Sequence, residues 1–405
     1  MDLTRRVGGA ACGLLSWCPP TVSSMPSATS AGPVAAHVTA AQALAWRLRR
    51  QLLDPLGTEG PVEVARRLCG LQAQVASAAE LAVLVRQCTP DPGAVGRELA
   101  ARRLVKTWAM RGTLHLLPAD EVGAWLAPLA ALRSWHKPSW QKASGITPVE
   151  MDRLGAAVTD ALGDDVLTRE QLVAAVLGGR GSKRLEEQLR SGWSSVLKPL
   201  AWQGLLCQGP PRGNRITFAR PEAWVPGWQG VPAVEEATVV IVPAYLRAYG
   251  PATPEAFDRY LTRGTSPKAA LRQRFAGLGD RLARVDVDGS PAYVLSEDVD
   301  ELATTRPGRA VRLVGAFDQA VLGPSTSDVL VLAPEHRPAV SKAAGWISPV
   351  VLRGGRVVGV WDGGADGIEV SLFDDEGPVP AAALRAELAR VASLTRGGGV
   401  SADKG

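Results

Sequence analysis

Residues 70–80 read Gly-Leu-Gln-Ala-Gln-Val-Ala-Ser-Ala-Ala-Glu. Apolar and polar side chains alternate after the glycine, which predicts a short extended segment. Side chains two residues apart in a strand lie on the same face, so the amides of Gln72 and Gln74 are expected to point together. The alternative is a polar strand edge that only contacts solvent.

A helix is predicted to follow this segment. Ser77 and Glu80 have the spacing of a capping box, so the helix is expected to begin only after Ser77. Two convergent carboxamides beside a helix N-terminus form a polar site that can position a water or an electron-poor centre. The free N–H groups of the helix favour an anion such as phosphate there.

The chain has 405 residues, of which 46% are hydrophobic and 21% charged, so two or three globular domains are expected. Lys and Arg (45) exceed Asp and Glu (40), which permits a nucleic-acid partner without requiring one. No apolar run is long enough to span a bilayer, so no membrane partner is expected.

Several kinds of site are disfavoured by the motifs. The four histidines lie far apart and no Cys-x-x-Cys occurs, so neither a zinc site nor another metal centre is expected. A Walker loop, Gly-x-Ser-x-Gly and a dinucleotide fingerprint are absent, so no cofactor is expected. Cys69, Cys88 and Cys207 lie in apolar patterns and are predicted to be buried thiols.

Both ends of the chain are predicted to be disordered. Residues 1–36 contain a pair of arginines and an apolar stretch that resembles an export signal, but glycines interrupt it and a Ser/Pro/Ala-rich piece follows. An over-long start, with the true start nearer Met25 or His37, fits equally well. Residues 395–405 form the predicted C-terminal tail.

Helices followed by a β-hairpin recur three times, which is the layout of a winged helix-turn-helix unit. The predicted units are residues 37–140, which carry the glutamine pair, 141–230 and 231–296. In the third unit, residues 238–242 are compatible with a strand.

Beyond residue 296 the composition shifts toward strands. The predicted strands are residues 311–314, 329–332, 347–352, 356–361 and 368–373. We expect them to close a small β-barrel within residues 297–394, which ends with a helix over residues 381–394. The expected fold class is α+β, mostly α, with three tandem winged helix-turn-helix units before the barrel.

Two groups of side chains are candidates for DNA contacts. Arg111, Thr113 and His115 alternate on the second strand of the first hairpin and are expected to share a face. The alternative is a strand edge whose polar atoms meet neighbouring backbone. Arg212 and Arg215 lie at the tip of the second hairpin and are predicted to contact a backbone phosphate, although an exposed basic turn needs no such contact.

Several segments together carry a resemblance to a known family. They are residues 68–80, Thr107-Trp108-Ala109-Met110-Arg111-Gly112-Thr113-Leu114-His115-Leu116-Leu117, Gly315-Ala316-Phe317-Asp318, Val321-Leu322-Gly323, His336-Arg337-Pro338 and residues 346–361. In this order they resemble the winged-helix DNA glycosylases of the AlkZ/YcaQ type, from about residue 39 to the end of the predicted barrel. The N-terminal extension departs from the family.

The resemblance implies three tandem winged helices in a C shape and a basic concave surface for duplex DNA. It also implies an active-site pair of glutamine-hydrophobic-glutamine or glutamine-hydrophobic-aspartate type. Gln72, Ala73 and Gln74 match the first type, which belongs to the AlkZ branch and is associated with self-resistance to the DNA-crosslinking antibiotic azinomycin.

A glutamine pair is a poor choice for ordinary glycoside hydrolysis, because an amide does not titrate near neutral pH. N7-alkylguanine is already cationic, so it leaves without protonation, and carbonyl dipoles can hold the water and stabilise the sugar. We therefore predict a monofunctional glycosylase that acts on duplex DNA with alkylated or crosslinked guanine. The resemblance also leads us to expect a monomer that is cytoplasmic and nucleoid-associated. Gln74 is expected to orient the water, and Gln72 to support it or the sugar.

Two other classes of protein stay open at this stage. A winged-helix regulator without chemistry would use the glutamines structurally and bind undamaged DNA. A protein-interaction scaffold would lack salt-sensitive DNA affinity.

Overall fold

The computed structural model describes residues 33–178, 183–191, 195–364 and 367–396. About half of these residues are helical and the rest include three sheets, so the mixed helical and β class is confirmed. None of the described helices combines the length and the apolar character needed to cross a membrane. The disorder predicted for residues 1–32 and 397–405 lies outside the described residues.

The helices that we number in chain order are α1 Ala40–Arg50, α2 Pro61–Arg67, α3 Ala76–Leu84, α4 Ala94–Ala100, α5 Val122–Ala131, α6 Pro138–Ser144, α7 Pro148–Leu162, α8 Arg169–Leu177, α9 Lys183–Arg190, α10 Leu197–Trp202, α11 Pro221–Trp224, α12 Val234–Tyr249, α13 Pro254–Thr262, α14 Lys268–Ala276, α15 Val299–Thr304, α16 Gln319–Leu322, α17 Arg337–Val340 and α18 Ala381–Arg396. The strands are β1 Val34–Val38, β2 Leu71–Gln72, β3 Leu104–Trp108, β4 Leu114–Pro118, β5 Leu167–Thr168, β6 Cys207–Gln208, β7 Thr217–Ala219, β8 Leu282–Val287, β9 Ser290–Leu295, β10 Val311–Val314, β11 Val350–Arg353, β12 Arg356–Gly364 and β13 Gly367–Leu372.

Both ends of the folded chain extend beyond the predicted limits. Residues 34–36, predicted to be disordered, belong to β1, which pairs in parallel with β8 of the third hairpin. Thr39 then caps α1 in a capping box with Gln42. At the other end α18 runs to Arg396, two residues into the predicted tail.

The first two predicted hairpins join into one sheet of order β2-β4-β3-β6-β7-β5. Each hairpin forms as predicted, from β3 with β4 and from β6 with β7. A single pairing of Lys106 with Gln208 connects them. The sequence did not predict this connection because the pairing joins residues far apart in the chain and leaves no local pattern.

The third predicted unit, residues 231–296 and called the third block below, begins with a helix at a position where the sequence was also compatible with a strand. Residues 238–242 are β-branched or apolar, yet α12 runs through them. Thr238, Ile241 and Val242 are buried while Val239 and Val240 are more than 40% exposed, which is the pattern of one helix face packed on a core. Packing therefore overrides the strand propensity of this run.

The C-terminal strands form an open sheet of order β10-β11-β12-β13 and not the expected barrel. Residues 329–332 form turns, and their carbonyl groups accept hydrogen bonds from Arg356 and Val357. A buried carboxylate on α18, that of Glu387, accepts a hydrogen bond from the Leu313 N–H group of β10. The helix thus satisfies a backbone donor of the edge strand, which reduces the need for closure.

Packing also crosses the predicted domain boundaries. Residues of α1, α3 and the C-terminal sheet share one hydrophobic core, which contains Leu44, Leu81 and Leu313. The predicted boundaries therefore stay predictions, since the first and last blocks bury their apolar faces against each other. Cys69 and Cys207 are buried as expected, but Cys88 is exposed.

Candidate active site

The glutamine segment is extended, as its alternation predicted. β2 lies antiparallel to β4, with Gln72 opposite His115, and the Ala73 N–H group donates to the carbonyl of Leu114 over 2.8 Å. Gly70 precedes the strand with a φ of +100°, and a Cβ atom there would lie 2.8 Å from the side chain of Leu117. A glycine is needed at this position because both the backbone conformation and the packing exclude a side chain.

The helix after the segment begins earlier than predicted. α3 begins at Ala76, with Val75 as its N-cap residue, and no side chain caps it. The Glu80 carboxylate instead accepts a hydrogen bond from the N–H group of Gly93, over 2.7 Å. The predicted capping box of Ser77 and Glu80 is therefore wrong, because a residue distant in sequence takes the carboxylate.

The two glutamine amides lie on the same side of the backbone and touch each other. The Nε2 atom of Gln72 donates to the Oε1 atom of Gln74 over 2.9 Å. Gln72 is 6% exposed, whereas Gln74 is exposed to solvent. The pair thus combines a fixed inner amide with an outer amide that solvent or substrate can reach.

Arg111 fixes the direction in which the inner amide points. Its Nη2 atom donates to the Oε1 atom of Gln72 over 3.0 Å, and its Nη1 atom donates to the carbonyl of Tyr260 over 2.9 Å. Arginine has donors only, so the Gln72 oxygen must face it and the Gln72 nitrogen must face Gln74. The Gln74 oxygen consequently accepts one hydrogen bond from within the protein and keeps a second lone pair.

Tyrosines on α12 and α13 of the third block stabilise this arrangement through hydrogen bonds to the backbone just before β2. The hydroxyl of Tyr260 donates to the carbonyl of Cys69 over 2.7 Å, and that of Tyr249 donates to the carbonyl of Leu68 over 2.6 Å. The guanidinium of Arg111 also packs over the Tyr260 ring, 5.0 Å from its centre. Burial raises the pKa of both tyrosines well above the ordinary value, so both hydroxyls stay protonated donors.

His115 completes the network as a neutral residue. It is fully buried, its Nδ1 atom lies 3.0 Å from the carbonyl of Thr113, and its Nε2 atom lies 3.5 Å from the Arg111 guanidinium. Burial first, and then the charge on Arg111, lower the pKa of His115 to about 3. The imidazole therefore does not act as a charged group or as a general acid at neutral pH.

The structure corrects the expectation that Arg111, Thr113 and His115 alternate on the second strand of the first hairpin and share a face. Arg111 and Thr113 lie in the connection before β4, and Arg111 has a φ of +58°, so only His115 alternates within the strand. The Thr113 hydroxyl donates to the carbonyl of Met110. All three side chains bond within the protein, which favours the alternative of a polar edge that meets neighbouring groups, and the buried ring of His115 is not open to DNA.

The tip of the second hairpin carries Arg212 and Arg215, both exposed. The Nη2 atom of Arg212 donates to the carbonyl of Val166 over 2.7 Å, and its Nη1 atom donates to Gln171 over 3.3 Å. Arg212 is therefore held in place at the surface. A phosphate contact by the two arginines stays a prediction.

Residues of the third block that hold the site were missed by the sequence analysis, above all Tyr249 and Tyr260. The chain has only four tyrosines, and α12 and α13 carry three of them. That concentration was a usable signal for a polar role in a core, because a buried tyrosine hydroxyl usually bonds a partner.

A group of possible metal ligands lies in the C-terminal block, within the described part of the chain. Oxygen and nitrogen atoms of Glu335, His336 and Asp375 lie within 4.8 Å of one another. His336 already bonds Asp375 over 2.7 Å and stacks on Phe373. The hydrogen bond between His336 and Asp375 does not involve a residue of the glutamine network.

The family model of AlkZ-like DNA glycosylases matches residues 65–394. The chain belongs to the AlkZ-like DNA glycosylase family. It is 51% identical over 361 residues to the interstrand DNA cross-link repair glycosylase of Streptomyces sahachiroi, covering 89% of this chain and 96% of that protein. The solved structure of the Streptomyces sahachiroi DNA glycosylase AlkZ matches with a TM-score of 0.85 and 50% identity, covering 89% of this chain and 97% of that one.

Membership in the AlkZ-like family makes this chain an enzyme, a DNA glycosylase whose substrate is DNA. The two non-enzymatic classes that the sequence left open are not favoured by these matches. The predicted resemblance and the expectation of an enzyme are therefore confirmed, whereas the catalytic role of Gln72 and Gln74 stays a prediction.

Proposed function

We propose that this AlkZ-like glycosylase hydrolyses the N-glycosidic bond of N7-alkylguanine in duplex DNA, including guanines joined in interstrand crosslinks. The observation that carries the proposal is the hydrogen-bonded amide pair of Gln72 and Gln74, oriented by Arg111. The relative from Streptomyces sahachiroi is named as a cross-link repair glycosylase, which supports the crosslinked substrate.

The chemistry of the pair selects the substrate class. Within the described residues, the side-chain hydrogen bonds of the pair join only the two amides and Arg111, so no carboxyl group or imidazole bonds either amide. Protonation of a neutral base on leaving needs a general acid, whereas a base alkylated at N7 carries a positive charge and leaves as a neutral molecule. An active site built from amides therefore suits a cationic lesion.

Each glutamine has a distinct part in the proposed reaction. The exposed amide of Gln74 accepts a hydrogen bond from a water through the second lone pair of its Oε1 atom and aims that water at C1′. Gln72 holds the Gln74 amide in this direction through its own nitrogen. The bond between C1′ and N9 breaks with its electron pair on the base, water adds to the sugar, and one proton leaves to solvent.

The same geometry suits a lesion that cannot leave the duplex freely. A crosslinked guanine is tied to the opposite strand, so it cannot rotate into a deep pocket. The outer amide of the pair lies at the surface, which fits attack in an open cleft. We propose that the protein acts as a monomer and that its helix-and-hairpin blocks are winged helices, with Arg212 and Arg215 at the backbone of the duplex.

Excision of 7-methylguanine from duplex DNA under single-turnover conditions tests the proposal. We expect Gln72→Ala and Gln74→Ala to lower the excision rate by about a hundredfold while DNA affinity persists. Each substitution removes an oriented amide dipole that stabilises the transition state. Gln74→Asp is expected to retain more activity than Gln74→Ala, since a carboxylate also accepts the hydrogen bond from Gln72.

The matched control is Gln141→Ala, which removes a glutamine on α6 that makes one hydrogen bond to a backbone carbonyl. Its excision rate is expected to equal that of the unaltered protein. Undiminished excision by both Gln72→Ala and Gln74→Ala would remove the pair from the mechanism.

A further inference from the structure

Three positively charged residues from three blocks of the chain lie at or near the turn of residues 110–112. Arg111 lies in the turn itself. Lys198 of α10 lies beside it, because its Cδ atom is 3.9 Å from the position that a Cβ atom of residue 112 would take. Arg263 follows the last residue of α13, three residues after the Tyr260 carbonyl that binds Arg111.

These three cations have no acidic partner among the described residues. None of them lies in an ion pair there, although twenty-one such pairs are present. The buried acid on α13, Asp258, is already engaged by the Thr262 hydroxyl and the Ser266 N–H group. The positive charge of the group is therefore not neutralised within the protein.

Arg263 also disfavours the positive charges of Lys198 and Arg111. Burial first, and then Arg263, lower the pKa of Lys198, and burial together with Arg263 also lowers that of Arg111. Lys198 is half-buried and Arg263 is exposed, so the group opens to solvent on the Arg263 side. Like charges held together and partly withdrawn from water destabilise a protein unless an anion binds between them.

A DNA phosphate is the anion that fits this group and its position. We propose that Lys198 and Arg263 bind one backbone phosphate of the lesion strand beside the glutamine pair, with Arg111 between that phosphate and Gln72. Arginine and lysine are the side chains that bind phosphate most strongly, as a planar fork and as a point charge. The inference rests on the proposed function for the lesion, but phosphate binding itself is independent of the lesion.

Binding of this phosphate has a consequence for the reaction. Arg111 bonds Gln72, so its charge lies near the site where a cationic base and a positively charged sugar must be accommodated. Like charges repel, and the repulsion is strong away from bulk water. The phosphate neutralises this charge, so the same guanidinium orients Gln72 without repelling the lesion.

The salt dependence of DNA binding tests the site in the full-length protein. Affinity is measured by fluorescence anisotropy on a duplex with one 7-methylguanine and on the same duplex with guanine. Lys198→Ala and Arg263→Ala are each expected to weaken binding about tenfold at 0.1 M salt and to lower the slope of log K against log salt by about one. Lys198→Arg is expected to restore both.

The matched control is Lys137→Ala, which removes an exposed lysine outside the group. The proposal would be overturned if Lys198→Ala and Arg263→Ala had the same DNA affinity and the same salt slope as this control. Trapping of Lys198 on the sugar by borohydride would also overturn it, because the amine would then be a nucleophile. If the unaltered protein fails to excise 7-methylguanine, the proposed lesion is wrong, while the slopes still decide whether the phosphate site exists.

Replacement of single phosphates by neutral methylphosphonates locates the contact. The unaltered protein is expected to lose affinity at one position next to the lesion, and Lys198→Ala is expected to lose little more at that position. A methylphosphonate effect of the same size in both proteins would show that Lys198 does not bind this phosphate.

Discussion

Arg86, which follows helix α3, and Arg111, in the turn of the first hairpin, differ in whether an acidic group neutralises their charge. Arg86 is fully buried and donates two hydrogen bonds of 2.7 Å to the carboxylate of Asp318, which is 1% exposed. Arg111 instead donates to the amide of Gln72 and to the carbonyl of Tyr260, and no carboxylate balances it among the described residues.

The difference separates a structural charge from a functional one. The fully buried guanidinium of Arg86 makes four hydrogen bonds and links the end of α3 to the residues that follow β10, so a ligand does not reach its charge. A guanidinium bound only by neutral groups keeps its positive charge available to a substrate. We infer that an arginine held by neutral oxygens is a better indicator of an anion site than an arginine held by acids.

Loss of Asp318 should give the largest effect, and it should fall on stability. Asp318→Ala leaves the guanidinium of Arg86 buried without a counter-charge, so we expect the free energy of unfolding to fall by about 3–5 kcal/mol. Urea denaturation measures this change. The double variant Arg86→Met with Asp318→Leu is expected to recover most of the loss, and a loss below about 1 kcal/mol in Asp318→Ala would contradict the structural role.

Loss of Arg111 should act mainly on the reaction. In Arg111→Met the Gln72 amide is free to turn, so we expect single-turnover excision to fall about a hundredfold. The free energy of unfolding should fall by only about 1–2 kcal/mol, because two neutral acceptors lose a partner. Arg111→Lys is expected to recover part of the rate. An unchanged rate in Arg111→Met would show that the guanidinium does not position Gln72.

The smallest effect concerns pH. The pKa of His115 is about 3 in the folded protein, below its ordinary value of 6.5, so the unfolded chain binds a proton that the folded protein does not. The stability due to neutral His115 is therefore present above pH 6.5 and is lost as the pH falls toward 3. In Arg111→Met the pKa of His115 should rise, so unfolding measured between pH 7 and pH 4 should show a smaller acid loss than in Gln141→Ala. An identical acid loss of stability in the two variants would show that Arg111 does not contribute to the lowered pKa of His115.

Excision itself should show no titration from this network between pH 5 and pH 8, because amides do not ionise and His115 stays neutral there. A rate profile measured on 7-methylguanine DNA checks this expectation. An inflection that disappears in a His115 variant would contradict the neutral state of the imidazole.

Local pattern predicted the elements whose stability is local. Alternation after Gly70 placed both glutamine amides on one side, and the first hairpin formed where β-rich runs flank a glycine. The same reasoning failed where a residue distant in the sequence determines the local structure. Glu80 bonds Gly93 instead of Ser77, and β1 forms only because β8 offers an edge. Neither partner can be recognised from the residues nearby.

The amino-acid sequence by itself determined the family, the glutamine pair, its extended backbone and the chemistry that amides permit. Only the tertiary structure decided which way those amides point and which charges surround them. The reason is that Arg111, Tyr260, Lys198 and Arg263 come from three blocks of the chain, and their hydrogen bonds and mutual repulsion depend on distances that exist only after α10 and α13 pack against the turn beside β4.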